Sequence, residues 1–166
     1  MLRTIPKWQC FQILRVKISM DASMGQPKCK CIARNKERNQ RMIINVYQDA
    51  FSICKVPDPS VIDLSQEMVF VGKTKSEISY ICKSDFISFP CLGREDGFRV
   101  LGIEGTLDFS LVGILSRIAT ILAEQQISIV AVSTFDTDYI LVRNERLEDA
   151  INALRLADYQ VEVLKV

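Results

Sequence analysis

Residues 98–164 read FRVLGIEGTLDFSLVGILSRIATILAEQQISIVAVSTFDTDYILVRNERLEDAINALRLADYQVEVL, and their hydrophobic period changes from segment to segment. Phe98–Glu104 has strand composition and is ended by Gly105. From about Ser110 to Gln125, Leu111, Ile114, Leu115, Ile118, Ile121 and Leu122 recur at helical spacing, leaving Arg117, Thr120 and Glu124 on the wet side. Asp108 or Ser110 is placed to cap that helix, because a side-chain oxygen there satisfies backbone N–H groups that lack partners. Ile127–Ser133 and Tyr139–Arg143 follow as strands joined through Thr134–Asp138. Asn144 is expected to cap a second amphipathic helix, Glu145 to about Ala157, with the stripe Leu147, Ala150, Ile151, Leu154 and Ala157. Tyr159–Leu164 closes the pattern as a last alternating strand.

The order is β-α-β-β-α-β. Striped helices with alternating strands predict an α+β, ferredoxin-like module, two helices covering one face of a four-stranded antiparallel sheet. Upstream, from Met42, the chain is strand-rich. Ile43–Tyr47 and Phe51–Val56 read as two strands split by Gln48-Asp49-Ala50, and Met68–Thr74 and Glu77–Cys82 read as a hairpin. Pro57-Asp58-Pro59 breaks the ladder, and Ser84–Gly97 is a link. This half is expected to be a reduced copy of the module that pairs its sheet with the second.

The net charge of +1 hides an asymmetry: residues 1–41 hold ten Lys/Arg against two acids, and the rest hold eleven against eighteen. Within the arm, Trp8, Phe11, Ile13, Leu14, Val16 and Ile18 are consistent with a short helix or strand around 8–18, whereas Asp21–Arg41 has too little apolar content to fold alone. Three readings compete for 1–41: a tail for nucleic acid or an acidic partner, a targeting peptide, and a start site that really lies at Met42. The longest apolar runs, such as Ile127–Val132, fall far short of the roughly 18–20 residues of a membrane span.

Six cysteines without the build of a disulfide scaffold are expected to be free thiols in a reducing cytoplasm. Cys29-Lys30-Cys31 is too tight for a CxxC knuckle, and the absence of His removes His-based proton transfer, Ser-His-Asp and Cys-His nucleophile systems. No catalytic residue, metal or cofactor is expected.

Two loops carry the candidate chemistry. At Gly105, Thr106, Leu107, Asp108, Phe109 and Ser110 a strand ends in Gly and turns into a helix, presenting free N–H groups to an anion such as a carboxylate. In the hairpin Ser133–Asp138, Asp136 and Asp138 can accept from an ammonium or guanidinium, and Thr134 and Thr137 offer hydroxyls. Together the loops would hold both ends of a zwitterion; alternatively Asp and Thr are simply turn formers there.

The runs Gly105–Ser110, Gly113-Ile114-Leu115, Ile127–Val132 and Ser133-Thr134-Phe135-Asp136-Thr137-Asp138-Tyr139-Ile140-Leu141-Val142 resemble the small bacterial-type proteins with tandem ACT modules that are related to the cytosolic arginine sensors of eukaryotes. The resemblance reaches from about Met42 to Val163, its earlier half carried by Phe51-Ser52-Ile53-Cys54 and the hairpin near Ser76–Cys82. It implies a chain divided into 1–41 (a basic arm or mis-assigned start), 42–92 (a reduced ACT-like half) and 97–166 (an ACT domain). It also implies a regulatory homodimer that binds an amino acid between modules and acts on a protein partner, with Gly105, Thr106, Leu107, Asp108, Phe109, Ser110, Thr134, Phe135, Thr137 and Asp138 at the pocket. Arginine specificity is not carried over.

Other classes fare worse. An enzyme would have Asp136 and Asp138 as metal ligands or an acid/base pair, with no third ligand or nucleophile. An RNA-recognition module needs aromatics aligned on central strands in a Lys/Arg-Gly-Phe/Tyr pattern, which is missing. A ligand-free oligomerisation module remains open on sequence alone.

Overall fold

Two long strands, β2 (Ile43–Val56) and β5 (Gly93–Ile103), pair antiparallel and run through both halves of the molecule. The computed structural model describes residues 12–14, 42–104 and 113–164. The remaining elements are β1 (Gln12–Leu14), β3 (Phe70–Lys73), β4 (Ile78–Lys83), α1 (Ile114–Glu124), β6 (Ile129–Ser133), β7 (Asp138–Arg143), α2 (Leu147–Leu156) and β8 (Gln160–Leu164). One sheet runs in the order β1-β6-β7-β5-β2-β4-β3, and β8 pairs with β2 in parallel.

Residues 43–47 and 51–56 are thus one strand, not two. Gln48-Asp49-Ala50 is absorbed by a register shift, Tyr47 opposing Val100 while Phe51 opposes Phe98, so the strand bends without ending. The next shift lies on β5, where Phe51 opposes Phe98 and Ile53 opposes Glu95. Gly97 takes φ +79° there, a conformation that L side chains rarely adopt.

The bend changes what β2 buries. Ile44 and Val46 join Leu101, Ile103, Ile140 and Val142 under the helices, together with Ile118 and Leu122 of α1 and Ala150, Ile151 and Leu154 of α2. Both predicted helical stripes therefore face the sheet where they are described; fully burying a side chain such as Leu122 contributes ~1.5–3 kcal/mol. After the bend Phe51 and Ile53 enter a second cluster with Phe70, Ile81, Phe98, Val100, Val132 and Leu141 on the other face. The sheet curls so far that the rings of Phe70 on β3 and Tyr139 on β7 stand 5.1 Å apart. A third cluster, Cys54, Val56, Tyr80 and Cys82, is covered by loop residues including Val61, Ile62, Phe86, Ile87 and Phe89 instead of helices.

The expected α+β, ferredoxin-like arrangement is observed, with one difference in its sheet. The last strand, β8, lies against β2 rather than β5, so a strand from the first half is inserted into the helix-covered sheet. The order of hydrophobic segments in 98–164 cannot reveal a guest strand from residues 43–47. One expected cap also differs. Asn144 opens a short 3-10 turn, Asn144–Arg146, and α2 begins behind it at Leu147, with Arg146 in the N-cap position making no side-chain cap and the first turn carrying Glu148 and Asp149 instead. The described part of α1 starts after Gly113, whose φ of +90° makes the entry, while Asp108 and Ser110 lie outside the described residues. In the arm, β1 falls within 8–18 and pairs with the edge of β6, Gln12 opposite Ser133.

A polar network anchored on one buried serine ties down the β5 bulge. Ser52, fully buried, donates to Asp96 Oδ1 at 2.5 Å, so Ser84 must be the donor in the 2.7 Å bond between the two serine hydroxyls. Arg94 Nε reaches the same carboxylate oxygen at 2.6 Å, and Arg143 donates to the Asp96 carbonyl at 2.7 Å while its guanidinium lies 4.3 Å from the Phe98 ring centroid. The Ser52 hydroxyl first, and Arg94 second, hold the Asp96 carboxyl below the ordinary carboxylate range. A group whose folded pKa is depressed contributes stability above its unfolded pKa and loses it as pH falls through the folded value. Ser52→Ala is therefore expected to lower stability at neutral pH, with the gap to the parent narrowing below about pH 4. Urea midpoints measured along a pH series check this.

Candidate functional site

The hairpin between β6 and β7 is built by its two threonines. Thr134 N donates to the Thr137 carbonyl at 2.8 Å, Thr134 Oγ1 donates to the same carbonyl at 2.8 Å, and Thr137 N donates back to Thr134 Oγ1 at 3.2 Å. The Thr134 hydroxyl is thus engaged in both roles by its own turn, as the turn-former reading expects. Thr137 does something different. Its Oγ1 donates to the Ile103 carbonyl at 2.6 Å, fastening the hairpin to the last residue of β5. The neighbouring Glu104 N donates to the Ile43 carbonyl at 2.9 Å, so the rim is tied to β2 as well.

This tie positions the hairpin against the end of β5. Glu104 is the last described residue before 105–112, and α1 resumes the description at Gly113. Thr137 therefore links the hairpin to the strand end from which the Gly-containing loop departs. Gly105, Thr106, Leu107, Asp108, Phe109 and Ser110 themselves lie outside the described residues. Of the hairpin residues, Phe135 is 62% exposed at the tip, Asp136 is exposed, and Asp138, the first residue of β7, is half-buried opposite Ser133. Among the described residues no three His, Cys, Asp or Glu side chains gather to hold a metal ion.

One row below the rim, on the face away from the helices, the sheet register sets Glu162, Asn45, Gly102, Tyr139 and Val132 side by side across five strands. A Cβ on Gly102 would stand 3.1 Å from Tyr47 Cε2 and 3.2 Å from Tyr139 Cε1, so the missing side chain is what admits the two rings. Burial first, then the charges of Tyr47 and Asp136, raise the Tyr139 pKa, and its phenol stays a hydrogen-bond donor at neutral pH. Beside it Asn45 Oδ1 is buried and accepts no hydrogen bond from the described residues. Such an orphan acceptor costs ~1–3 kcal/mol until a donor reaches it. Sequence reading missed Asn45 because a lone Asn inside Ile43–Tyr47 reads only as the polar member of an alternating strand; the register with Gly102 is what sets it apart.

Thr137→Val keeps the shape of the side chain, removes the donor to Ile103, and is expected to destabilise the chain by ~1 kcal/mol, read as a lower urea midpoint at unchanged slope. Thr134→Ala is expected to cost a similar amount by loosening the turn alone.

Comparison with known proteins adds a family signal over part of the chain. Residues 93–155 match the family model described as the ACT domain. No curated protein matches the chain. Among solved structures, a protein from Agobacterium tumefaciens is similar with TM-score 0.68 at 24% identity, covering 76% of this chain and 96% of that one. A Vibrio cholerae protein of unknown function, titled a possible transport protein, follows at TM-score 0.55 and 21% identity over 70% and 89% of the two chains. The regulatory subunit of aspartate kinase from Thermus thermophilus is similar at TM-score 0.50 and 13% identity, over 69% and 95%. These likenesses concern the fold, and the stretch that carries the ACT-domain signal, residues 93–155, spans β5 to α2 and both candidate loops.

Proposed function

We propose that this chain is a non-enzymatic regulatory protein that binds a small ligand, an amino acid, and acts through a ligand-dependent homodimer or a regulated protein partner in the cytoplasm. The observation that carries the reading is the 2.6 Å bond from Thr137 to the Ile103 carbonyl, which unites the hairpin with the strand end that leads into residues 105–110. The ACT-domain match over 93–155 includes both loops, and a similar fold serves as a regulatory subunit in an aspartate kinase.

In this reading Gly105, Thr106, Leu107, Asp108, Phe109 and Ser110 receive the ligand carboxylate on backbone N–H groups. Thr134, Phe135, Thr137 and Asp138 form the opposite wall, where Asp138 accepts from the ligand ammonium. The chain divides into a reduced ACT-like half at 42–92 and an ACT domain at 97–166, a tandem related to the cytosolic arginine sensors without their specificity being transferred. Because β2 and β5 belong to both halves, a ligand that orders the rim acts on strands that the first half also uses.

A thermal-shift screen of the full chain against the standard amino acids tests the proposal. A ligand at about 100 times its dissociation constant adds ~2.7 kcal/mol and raises the midpoint by several degrees. The expected hit is lost in Asp138→Ala while that variant's own midpoint, without ligand, stays close to the parent's. No shift with any amino acid from folded protein would overturn the ligand assignment and leave a ligand-free assembly module.

A further inference from the structure

Three cysteines of the first half converge beneath one loop. Cys54 on β2 and Cys82 on β4 are fully buried, and both belong to the cluster that loop residues cover. Their strands pair with Cys54 opposite Tyr80 and Ser52 opposite Cys82, which sets the two thiols diagonally on one face. Cys91, only partly buried, packs on that cluster from the segment that follows β4. Leu92 N donates to the Lys55 carbonyl at 2.8 Å, holding the residue after Cys91 against the residue after Cys54. Within that segment the Cys91 thiol donates to the Phe89 carbonyl at 3.8 Å, and Pro90 supplies no main-chain donor.

We propose that Cys91 and Cys54 are a peroxide-sensitive thiol pair that closes to a disulfide and fastens the segment after β4 onto β2. Peroxide oxidises the Cys91 thiol to a sulfenic acid, releasing one water. The Cys54 sulfur then attacks the Cys91 sulfur, the S–O bond breaks, and the hydroxide leaves with the Cys54 proton as a second water. Two thiols lose two hydrogens and two electrons to one peroxide, which balances the step.

The order of events follows from access. Burial is the largest cause pushing the Cys54 thiol up to about 12 and the Cys82 thiol up to about 11, so neither is the first to react. Cys91 is the most accessible of the three, and the Leu92–Lys55 main-chain bond ties its segment to β2, the strand of Cys54, rather than to β4, the strand of Cys82. Cys91 is therefore the entry point and Cys54 the resolving partner.

The test is graded hydrogen peroxide on the full chain, followed by alkylation of the remaining thiols and peptide mapping without reductant. The expected result is a crosslinked pair of peptides containing Cys54 and Cys91, lighter by two hydrogens and released by dithiothreitol, together with a midpoint that rises on oxidation and reverts on reduction. Cys91→Ser should keep Cys54 alkylatable and abolish the rise, and Cys82→Ser should leave both results intact. A Cys54–Cys82 crosslink in the parent would overturn the pairing. So would a Cys91 that passes to sulfinic acid while Cys54 stays free, or a Cys91 that stays unoxidised while other cysteines react.

Discussion

The antiparallel pairing of β2 with β5 is the constraint on which the remaining structure depends. Each strand presents one face to the helices near one end and turns to a different partner beyond its register shift. Ile44, Val46, Leu101 and Ile103 sit under α1 and α2, while Phe51 and Phe98, opposite each other past the bend, anchor the cluster on the other face. Removing either strand would open two cores at once. The shift at Gln48–Ala50 and the left-handed Gly97 let the two long strands bend while they stay paired, and the alternation of side chains gives each strand a residue in both clusters, as Val46 and Tyr47 show.

The amphipathic helices and the alternating strands of 98–164 were legible because each segment buries one face against a neighbour close in sequence. Ile118, Leu122, Ile151 and Leu154 are buried, as the stripe pattern requires. What the pattern concealed involved distant partners. The parallel contact of β8 with residues 43–47 joins segments more than a hundred residues apart, and no local period encodes which strand will occupy that edge. The Asn144 cap failed for a local reason. Asn144 is a good N-cap residue, but the chain takes a 3-10 turn first, and so the α-helix starts beyond the reach of its side chain.

The candidate site was half legible for similar reasons. Thr and Asp in Ser133–Asp138 announced a turn, and the turn is made by Thr134, but only the folded register assigns Thr137 to a carbonyl thirty-four residues away. Asn45 and Gly102 were invisible singly. Together they are informative: a glycine yields its space to two tyrosine rings, and a buried amide oxygen in the same row has no donor among the described residues. Nature rarely leaves such an atom unpaired. It lies on β2 one row below the rim, opposite Gly102 of β5, the strand to whose last residue Thr137 is tied.

The two halves differ most in what covers them. In the second half, helices shield the sheet, and each helix satisfies its own main-chain hydrogen bonds while presenting an apolar stripe. In the first, the face holding Cys54, Val56, Tyr80 and Cys82 is closed by extended and 3-10 segments, with Tyr80 Oη donating to the Asp63 carbonyl at 3.2 Å as one of the few specific ties. A loop cover excludes water well enough to raise the pKa of the thiols and of the Tyr80 phenol, whose value is pushed up to about 12. It lacks the cooperative ladder that makes a helix resist local opening. The first half thus combines a dry interior with a cover of loop and 3-10 segments, and Cys91 sits at its partly exposed margin while Cys54 and Cys82 lie fully beneath it.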